Sequence, residues 1–194
     1  MPELDRKLAV PALVGRHQDY LIVGGLGGPS KDLSALIGDG PNLFSMSGAM
    51  GAATPIGLGL ALARPRRRVL VVTGEGELLM NVGALATVAL AAPDNLAILV
   101  VDNEVYGETG NQQSHTGRGT DLAAMAAGAG VARVSTVRSE AEIPAAAAEL
   151  RDAQGPVFVV VKVSAADPPA APRDMDAAAC RTRFRAALDR EAEE

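Results

Sequence analysis

The stretch RRRVLVVTGEGELLMNVGAL, residues Arg66–Leu85, decides the fold because it passes from a strand pattern into a helix pattern through three residues. Its β-branched run, Val69–Thr73, is apolar on both faces, as in a strand buried in a parallel sheet. Gly74, Glu75 and Gly76 follow at once, and a helical pattern begins at Glu77. A buried strand that turns directly into a helix through glycines is typical of an α/β fold whose turn faces a ligand.

The rest of the chain alternates short β-branched runs with longer segments of helical period. The predicted strands are Tyr20–Gly24, Val69–Thr73, Leu96–Asp102, Ala132–Val137 and Val157–Val163. The predicted helices are Leu4–Gly15, Pro29–Ile37, Gly51–Ala63, Glu77–Ala91, Asp121–Ala129 and Glu140–Arg151. Strands that are apolar on both faces and alternate with helices predict an α/β fold with a doubly wound, mostly parallel sheet and helices on both faces.

The composition predicts one domain of ordinary size. The chain has 194 residues, of which 48% are hydrophobic, and this is enough to bury one substantial core. We expect a single domain over residues 1–163. Residues 164–194 begin with a Pro-rich connector and end in a short charged helix, RTRFRAALDREAEE.

Charge and cysteine content argue against several classes of function. The net charge of −5 gives no broad basic surface for nucleic acid. The single cysteine, Cys180, excludes an intrachain disulfide framework and a Cys-clustered metal site. The N-terminus MPELDRKLAV lacks the apolar core of a signal peptide, and no apolar run is long enough to span a membrane. We therefore expect a cytoplasmic protein without nucleic-acid or membrane partners.

Two acidic turns compete for a functional role, one at Glu75 and one at Asp39. In a doubly wound fold, ligands bind outside the carboxyl ends of the strands. Glu75 follows a predicted strand and precedes a helix, so its carboxylate can face a cation while nearby main-chain N–H groups face an anion. Asp39 follows a helix, where Asp and Gly commonly form a turn. The sequence therefore favours Glu75.

A carboxylate beside a phosphate site suggests Mg²⁺, which takes a few protein oxygens and completes its shell with phosphate oxygens. Asn103 lies 28 residues after Glu75, a distance that fits one helix and one strand leading back to the same edge of the sheet. The Asn103 amide oxygen and the main-chain carbonyl of Val105 could then complete the protein ligands. In the alternative interpretation, Asn103 caps a turn and Glu75 is a solvated loop acid.

These motifs together resemble a known family. Gly-acid-Gly, a helix, a strand and then Asn-x-x-Tyr-Gly resembles the metal and diphosphate motif of thiamine-diphosphate enzymes, and the resemblance runs from about Tyr20 to Val163. The segments FSMSGAMGAATPIGLGLALA, LLMNVGALATVA and VDNEVYGETGNQ are more narrowly similar to the β subunit, or the C-terminal half, of sulfopyruvate and phosphonopyruvate decarboxylases. The resemblance implies the thiamine-diphosphate-binding fold.

The resemblance also implies a set of site residues. Mg²⁺ would be held by Glu75, Asn103 and the Val105 carbonyl. The cofactor-binding residues would be Gly27, Gly28, Gly48, Ala49, Met50, Gly74, Gly76, Glu77 and Tyr106. Met50 would be the catalytic apolar wedge that bends the cofactor, and the Gly48 carbonyl would meet its aminopyrimidine; in the alternative interpretation Met50 is a core residue. A dinucleotide site is disfavoured because Gly25-x-Gly27-x-x-Ser30 lacks the third glycine.

Two positions depart from the family pattern. Glu75 stands where Asp is usual, and its extra methylene requires a small shift of the loop to suit the geometry of Mg²⁺. Glu77 stands where a small hydroxyl residue is common. A second carboxylate beside a diphosphate would repel it unless the Glu77 side chain turns outward.

The implied function is that of the cofactor-binding subunit of a heteromeric thiamine-diphosphate-dependent 2-oxo-acid decarboxylase. A partner α subunit with a pyrimidine-binding domain would supply the activating Glu, in a heterodimer or heterotetramer. His115 is a candidate proton donor to a small 2-oxo acid and Arg118 a candidate contact for its acidic group, although both types of residue are common in solvated loops. Two alternatives stay open: an acetolactate-synthase-like carboligase subunit, and a noncatalytic or regulatory subunit that has lost cofactor use.

Overall fold

A computed structural model describes residues 4–172 and 174–190. Its strands are β1 (Tyr20–Gly24), β2 (Leu43–Ser45), β3 (Arg68–Gly74), β4 (Leu96–Asp102), β5 (Val105–Tyr106), β6 (Gln112–Gln113), β7 (Arg133–Val137) and β8 (Val157–Lys162). Six of them form one sheet in the order β2-β1-β3-β4-β8-β7, with every neighbouring pair parallel. β5 and β6 form a separate antiparallel hairpin.

Helices cover both faces of this sheet. They are α1 (Arg6–Val14), α2 (Gly28–Ile37), α3 (Ala53–Ala63), α4 (Glu75–Leu79), α5 (Ala84–Ala91), α6 (Leu122–Gly128), α7 (Ile143–Asp152) and α8 (Ala177–Arg190). One hydrophobic cluster joins α1, α2 and α7 to one face of the sheet, and the other joins α3, α4, α5, α6 and α8 to the opposite face. The predicted doubly wound α/β fold is therefore confirmed.

β3 shows how the sequence builds the two cores. Val69 and Val71 belong to one cluster, whereas Leu70 and Val72 belong to the other. Successive side chains of a strand point to opposite faces, so a strand covered on both sides must be apolar throughout. This is why the run VLVV contains no polar residue.

The five predicted strands are present with ends within one residue, but the prediction of a single helix over Glu77–Ala91 is wrong. α4 ends at Leu79, four residues form turns, and α5 begins at Ala84. In the break, the side-chain amide of Asn81 donates to the Gly51 carbonyl at 3.1 Å. β2 and the β5–β6 hairpin were not predicted because runs of two or three residues carry no clear periodicity.

α8 packs across β2. The ring of Phe184 lies 5.7 Å from that of Phe44, and the buried Cys180 thiol donates to the Ser45 carbonyl at 3.4 Å. The end of the predicted charged helix, residues 191–194, lies outside the described residues. Within the described ranges, the helices are too short or too polar to cross a membrane.

Two glycines of α3 offer a matched test of this packing. A Cβ atom at Gly57 would overlap Cγ2 of Val71, whereas a Cβ atom at Gly59 meets nothing within 4 Å. We expect Gly57→Ala to lower the free energy of unfolding by about 1–3 kcal/mol, because the methyl group forces helix and sheet apart. Gly59→Ala should raise it by about 0.5–1 kcal/mol through helix propensity alone. Urea denaturation of both variants measures the difference, and equal effects would contradict the contact between α3 and β3.

Candidate functional site

A cavity of about 490 Å³ opens where β1, β3 and β4 end. β1 pairs with β2 on one side and with β3 on the other, so successive connections leave β1 toward opposite edges of the sheet. Such a switch point leaves a crevice between diverging loops. The cavity brings together most of the residues predicted from the sequence, namely Gly27, Gly28, Met50, Gly74, Glu75, Gly76, Glu77, Asn103, Val105 and Tyr106.

Glu75 is the first residue of α4 and is almost fully buried, with 3% of its surface exposed. Burial, together with the negative charge of Asp102, raises the pKa of its carboxyl to about 7, although nearby main-chain N–H groups and the Ser114 hydroxyl oppose this shift. Its Oε1 has no hydrogen-bond partner among the described residues. A buried carboxylate oxygen without a partner is costly, so the site suits a cation.

Asn103 and Val105 lie beside Glu75 because β3 and β4 pair with Gly74 opposite Val101. The turn after β4 is held by a hydrogen bond from the Glu104 N–H to Asp102 Oδ1 at 3.0 Å and by a long one from the Val105 N–H to Asn103 Oδ1 at 3.4 Å. Asn103 therefore does shape a turn, and it also lines the cavity. Both sequence interpretations of Asn103 are compatible with this placement.

The candidate metal ligands comprise one carboxylate, one amide oxygen and one main-chain carbonyl. Over residues 4–172 and 174–190, no three His, Cys, Asp or Glu side chains are arranged to hold a metal ion. Mg²⁺, which binds through one or two carboxylates together with phosphate oxygens, fits the residues present.

Asp102 stabilises the turn after β4 through its side chain, and the sequence analysis did not predict this role. Its buried carboxylate accepts hydrogen bonds from Lys162 Nζ at 2.9 Å and from Thr116 Oγ1 at 2.7 Å. Asp102 and Lys162 are partners across the β4–β8 pair, and Lys162 also pairs with Glu104. The available signal was that Asp102 ends one predicted strand and that Lys162 is the last residue but one of another.

Tyr106 closes one side of the cavity. A Cβ atom at Gly76 would overlap the Tyr106 ring, so glycine is needed at this position for the close approach. The Tyr106 hydroxyl is hydrogen-bonded to Nδ1 of His115 at 3.0 Å. His115 itself is exposed and lies outside the cavity lining, as does Arg118, which donates to Gln113 at 3.1 Å. Their suggested contacts with substrate stay predictions.

The turn before α3 places only one of its predicted residues at the cavity. Met50 lines it and is 46% exposed, whereas Gly48 and Ala49 are exposed outside the lining. Ala49 has φ +62°, a left-handed conformation that costs a non-glycine residue about 1 kcal/mol. This conformation turns the chain so that Met50 reaches the cavity.

Glu77 does not turn outward. It is 3% exposed, and its Oε2 accepts hydrogen bonds from the Leu26 N–H at 2.8 Å and from Thr73 Oγ1 at 2.9 Å. Burial raises the pKa of this carboxyl, while the N–H groups of Leu26 and Gly51 and the Thr73 hydroxyl oppose the shift. The sequence analysis expected Glu77 to repel a diphosphate unless its side chain turned outward, and the side chain does not turn outward.

The cavity is acidic overall. Its charged lining residues are Arg6, Lys31, Glu75, Glu77, Glu108 and Asp167. Arg6 makes a buried two-point contact with Asp32, at 2.6 and 3.1 Å, and Lys31 pairs with Glu108 at 2.9 Å. Because both cations are engaged by carboxylates, a polyphosphate needs a further cation here.

Asp39, the rival acid, lies elsewhere. It sits in the exposed turn after α2, 3.6 Å from Nη2 of Arg183 on α8, and it does not line the cavity. The preference for Glu75 over Asp39 agrees with this placement.

Comparisons with known proteins agree with this geometry. A family model described as "Thiamine pyrophosphate enzyme, C-terminal TPP binding domain" matches residues 37–161. The chain is similar to the protein named sulfopyruvate decarboxylase subunit beta from Methanothermobacter thermautotrophicus, with 40% identity over 93% of this chain and 94% of that protein. Its counterpart from Methanocaldococcus jannaschii is 43% identical over 60% of this chain, and the match spans 61% of that protein.

Longer proteins contain a similar region as one part of their chain. Phosphonopyruvate decarboxylase from Streptomyces viridochromogenes is 41% identical over 73% of this chain, and the match covers 35% of that protein. A solved structure of a protein described as a thiamin diphosphate-dependent enzyme from Mycobacterium smegmatis superposes with a TM-score of 0.71 at 24% identity. That superposition covers 84% of this chain and 32% of the other, and it shows a shared fold.

Two lysine–carboxylate pairs with the same 2.9 Å separation allow a matched test of the turn that carries Asn103. We expect Lys162→Met to lower the free energy of unfolding by about 3 kcal/mol, because it leaves the buried Asp102 charge without its cation. Lys31→Met removes the exposed pair with Glu108 and should change it by less than about 1 kcal/mol. Urea denaturation compares the variants, and a small effect of Lys162→Met would show that Asp102 does not need Lys162.

Proposed function

This chain belongs to the thiamine pyrophosphate enzyme family as its C-terminal TPP-binding domain, and we propose that it is the cofactor-binding subunit of a heteromeric 2-oxo-acid decarboxylase. The observation that carries the proposal is the convergence of Glu75, Asn103 and the glycine-rich turns in one cavity at the switch point of the sheet. The unpartnered Glu75 Oε1 gives that cavity a free acceptor for a cation.

In this proposal the chain holds Mg²⁺ through Glu75, Asn103 and the Val105 carbonyl. A cation held by these residues would offset the negative charge of the lining, so that the site could accept a diphosphate. Main-chain N–H groups at Gly76 and Glu77, together with the close-approach glycines Gly27 and Gly28, would meet the diphosphate.

Thiamine diphosphate, when bound, supplies a thiazolium ring that accepts the electron pair released as a 2-oxo acid loses CO₂. The residues of this chain bind and orient it. Met50 would support the two rings from the side of the α3 turn, and the Tyr106 ring, packed on Gly76, would exclude water from the metal side. His115 would hold the Tyr106 hydroxyl in place through their hydrogen bond.

We propose an acidic substrate such as sulfopyruvate or phosphonopyruvate. The names of the relatives from Methanothermobacter thermautotrophicus and Streptomyces viridochromogenes support this class. A carboligase of the acetolactate-synthase type would use the same cofactor residues, so analysis of the product distinguishes it. A noncatalytic subunit would retain the fold without binding thiamine diphosphate.

We further propose that a pyrimidine-binding α subunit completes the active site and supplies the activating Glu, in a heterodimer or heterotetramer. The match to phosphonopyruvate decarboxylase from Streptomyces viridochromogenes leaves the greater part of that protein uncovered, which supports a second subunit that supplies the remaining part of the site. Exposed apolar side chains support an interface. Met50 and Met80 line the cavity and are 46% and 60% exposed, and Ile56 and Leu62 are exposed on α3, the helix that follows Met50. Exposed apolar side chains of this kind are typical of surfaces that contact another protein.

The first test concerns the metal. Asn103→Leu should abolish Mg²⁺-dependent binding of thiamine diphosphate, because an apolar group of similar size replaces an oxygen ligand. Calorimetry with thiamine diphosphate and MgCl₂ measures the affinity, and circular dichroism checks the fold. Asn103→Asp keeps an oxygen at the same place and should retain binding. Normal binding by the Leu variant would remove Asn103 from the metal site.

The second test concerns the missing half. The purified chain alone should not decarboxylate sulfopyruvate or phosphonopyruvate, because one wall of the pocket and the activating Glu are absent. Co-expression with a pyrimidine-domain partner should restore CO₂ release and give the corresponding aldehyde. Robust decarboxylation by the chain alone would refute the two-subunit arrangement, and formation of a longer acid would identify a carboligase.

A further inference from the structure

We propose that Glu77 is a positioning residue that sets the shape of the cofactor cavity before any cofactor binds. The inference rests on the proposed function, since it concerns the same cavity. It assigns a role to the carboxylate that was expected to oppose a diphosphate. The buried side chain joins three segments of the chain, each of which contributes to the cavity.

The first segment is the loop after β1. The Leu26 N–H donates to Glu77 Oε2 at 2.8 Å, across 51 residues of sequence. A Cβ atom at Gly25 would overlap this same oxygen, so the loop backbone lies directly against the carboxylate. Gly27 and Gly28, which line the cavity, follow at once. Their position therefore depends on the contact with Glu77.

The second and third segments are the end of β3 and the turn before α3. Thr73 Oγ1 donates to the same Oε2 at 2.9 Å. The N–H of Gly51, next to Met50, faces the carboxylate closely enough to favour its charged form, although no hydrogen bond of standard geometry reaches Oε1. One buried side chain thus links the loop after β1, the end of β3 and the turn that carries Met50.

Burying a carboxylate is costly, and that cost is recovered only if its partners stay in place. The three segments are otherwise joined here by main-chain contacts such as the Gly25 N–H to Val72 carbonyl bond at 2.8 Å and by the Asn81 contact with Gly51. A tether that fixes loops in advance reduces the ordering that a ligand must bring about when it binds. Glu77 would therefore favour cofactor binding by preorganisation.

Simple charge repulsion predicts the opposite change in cofactor affinity when Glu77 is replaced, so an experiment can distinguish the two roles. If Glu77 acts only as a negative charge beside the diphosphate, both Glu77→Ala and Glu77→Gln should bind thiamine diphosphate more tightly. If Glu77 positions the loops, Glu77→Ala should bind it about tenfold more weakly or worse. Glu77→Gln keeps an oxygen that accepts from Leu26 and Thr73, so it should bind at least about as well as the unchanged chain.

The experiment combines amide hydrogen exchange with calorimetry on the whole chain. Without ligand, Glu77→Ala should speed exchange about tenfold or more in peptides that cover residues 24–28 and 47–51, and Glu77→Gln should not. Adding thiamine diphosphate and MgCl₂ should restore protection in the Ala variant, since the ligand then orders the loops. Circular dichroism checks that each variant is folded.

Glu142 provides the matched control. Its exposed carboxylate also accepts two main-chain hydrogen bonds, from Arg138 at 2.7 Å and Ser139 at 2.8 Å, away from the cavity. Glu142→Ala should speed exchange at those two amides and leave the cofactor affinity unchanged. Unchanged exchange at residues 24–28 in Glu77→Ala, or tighter cofactor binding by it, would overturn the positioning role. If thiamine diphosphate binds neither to the unchanged chain nor to its complex with a pyrimidine-domain partner, the proposed function fails, and the exchange data on the ligand-free chain still decide the role of Glu77.

Discussion

Parallel pairing of β1, β3 and β4 is the constraint on which the site depends. Parallel strands that share one register end at the same edge, so Gly74 lies opposite Val101 and the residues that follow both strands enter one crevice. The chain adds β2 on one side of β1 and β3 on the other, so the loops after β1 and β3 lead away from each other and a cavity opens between them. No single side chain could bring Glu75 and Asn103 together without this arrangement of the backbone.

The properties of the site also depend on which partners its buried carboxylates have. Asp102 is compensated by Lys162 and Thr116, and Glu77 by the Leu26 N–H and the Thr73 hydroxyl. Oε1 of Glu77 and Oε1 of Glu75 both lack a hydrogen-bond partner among the described residues. Burial and the nearby charge of Asp102 raise the pKa of the Glu75 carboxyl to about 7. Two buried carboxylate oxygens at this end of the sheet therefore lack a partner, and a cation bound at Glu75 would favour the charged form of its carboxyl.

The rim of the cavity is apolar, in contrast to its acidic interior. The polar floor is enclosed by the sheet and the loops, whereas the rim carries the exposed side chains of Met50 and Met80. A binding site usually buries most of its ligand, and a half-open cavity with an apolar rim reaches that state only when another surface covers it. This supports the proposal that the chain acts as one part of a larger enzyme.

The sequence alone determined the α/β class, the five long strands and the location of Glu75 and Asn103 at strand ends, because these follow from local periodicity and from glycines next to strands. It did not determine the direction of the Glu77 side chain, which depends on the space that Gly25 leaves 52 residues earlier in the chain. Nor did it predict the break in the helix after Leu79, where Asn81 bonds to Gly51, or the pairing of Asp102 with Lys162 across β4 and β8. Each of these features is a contact between residues at least 30 positions apart, and only the packed tertiary structure brings such residues together.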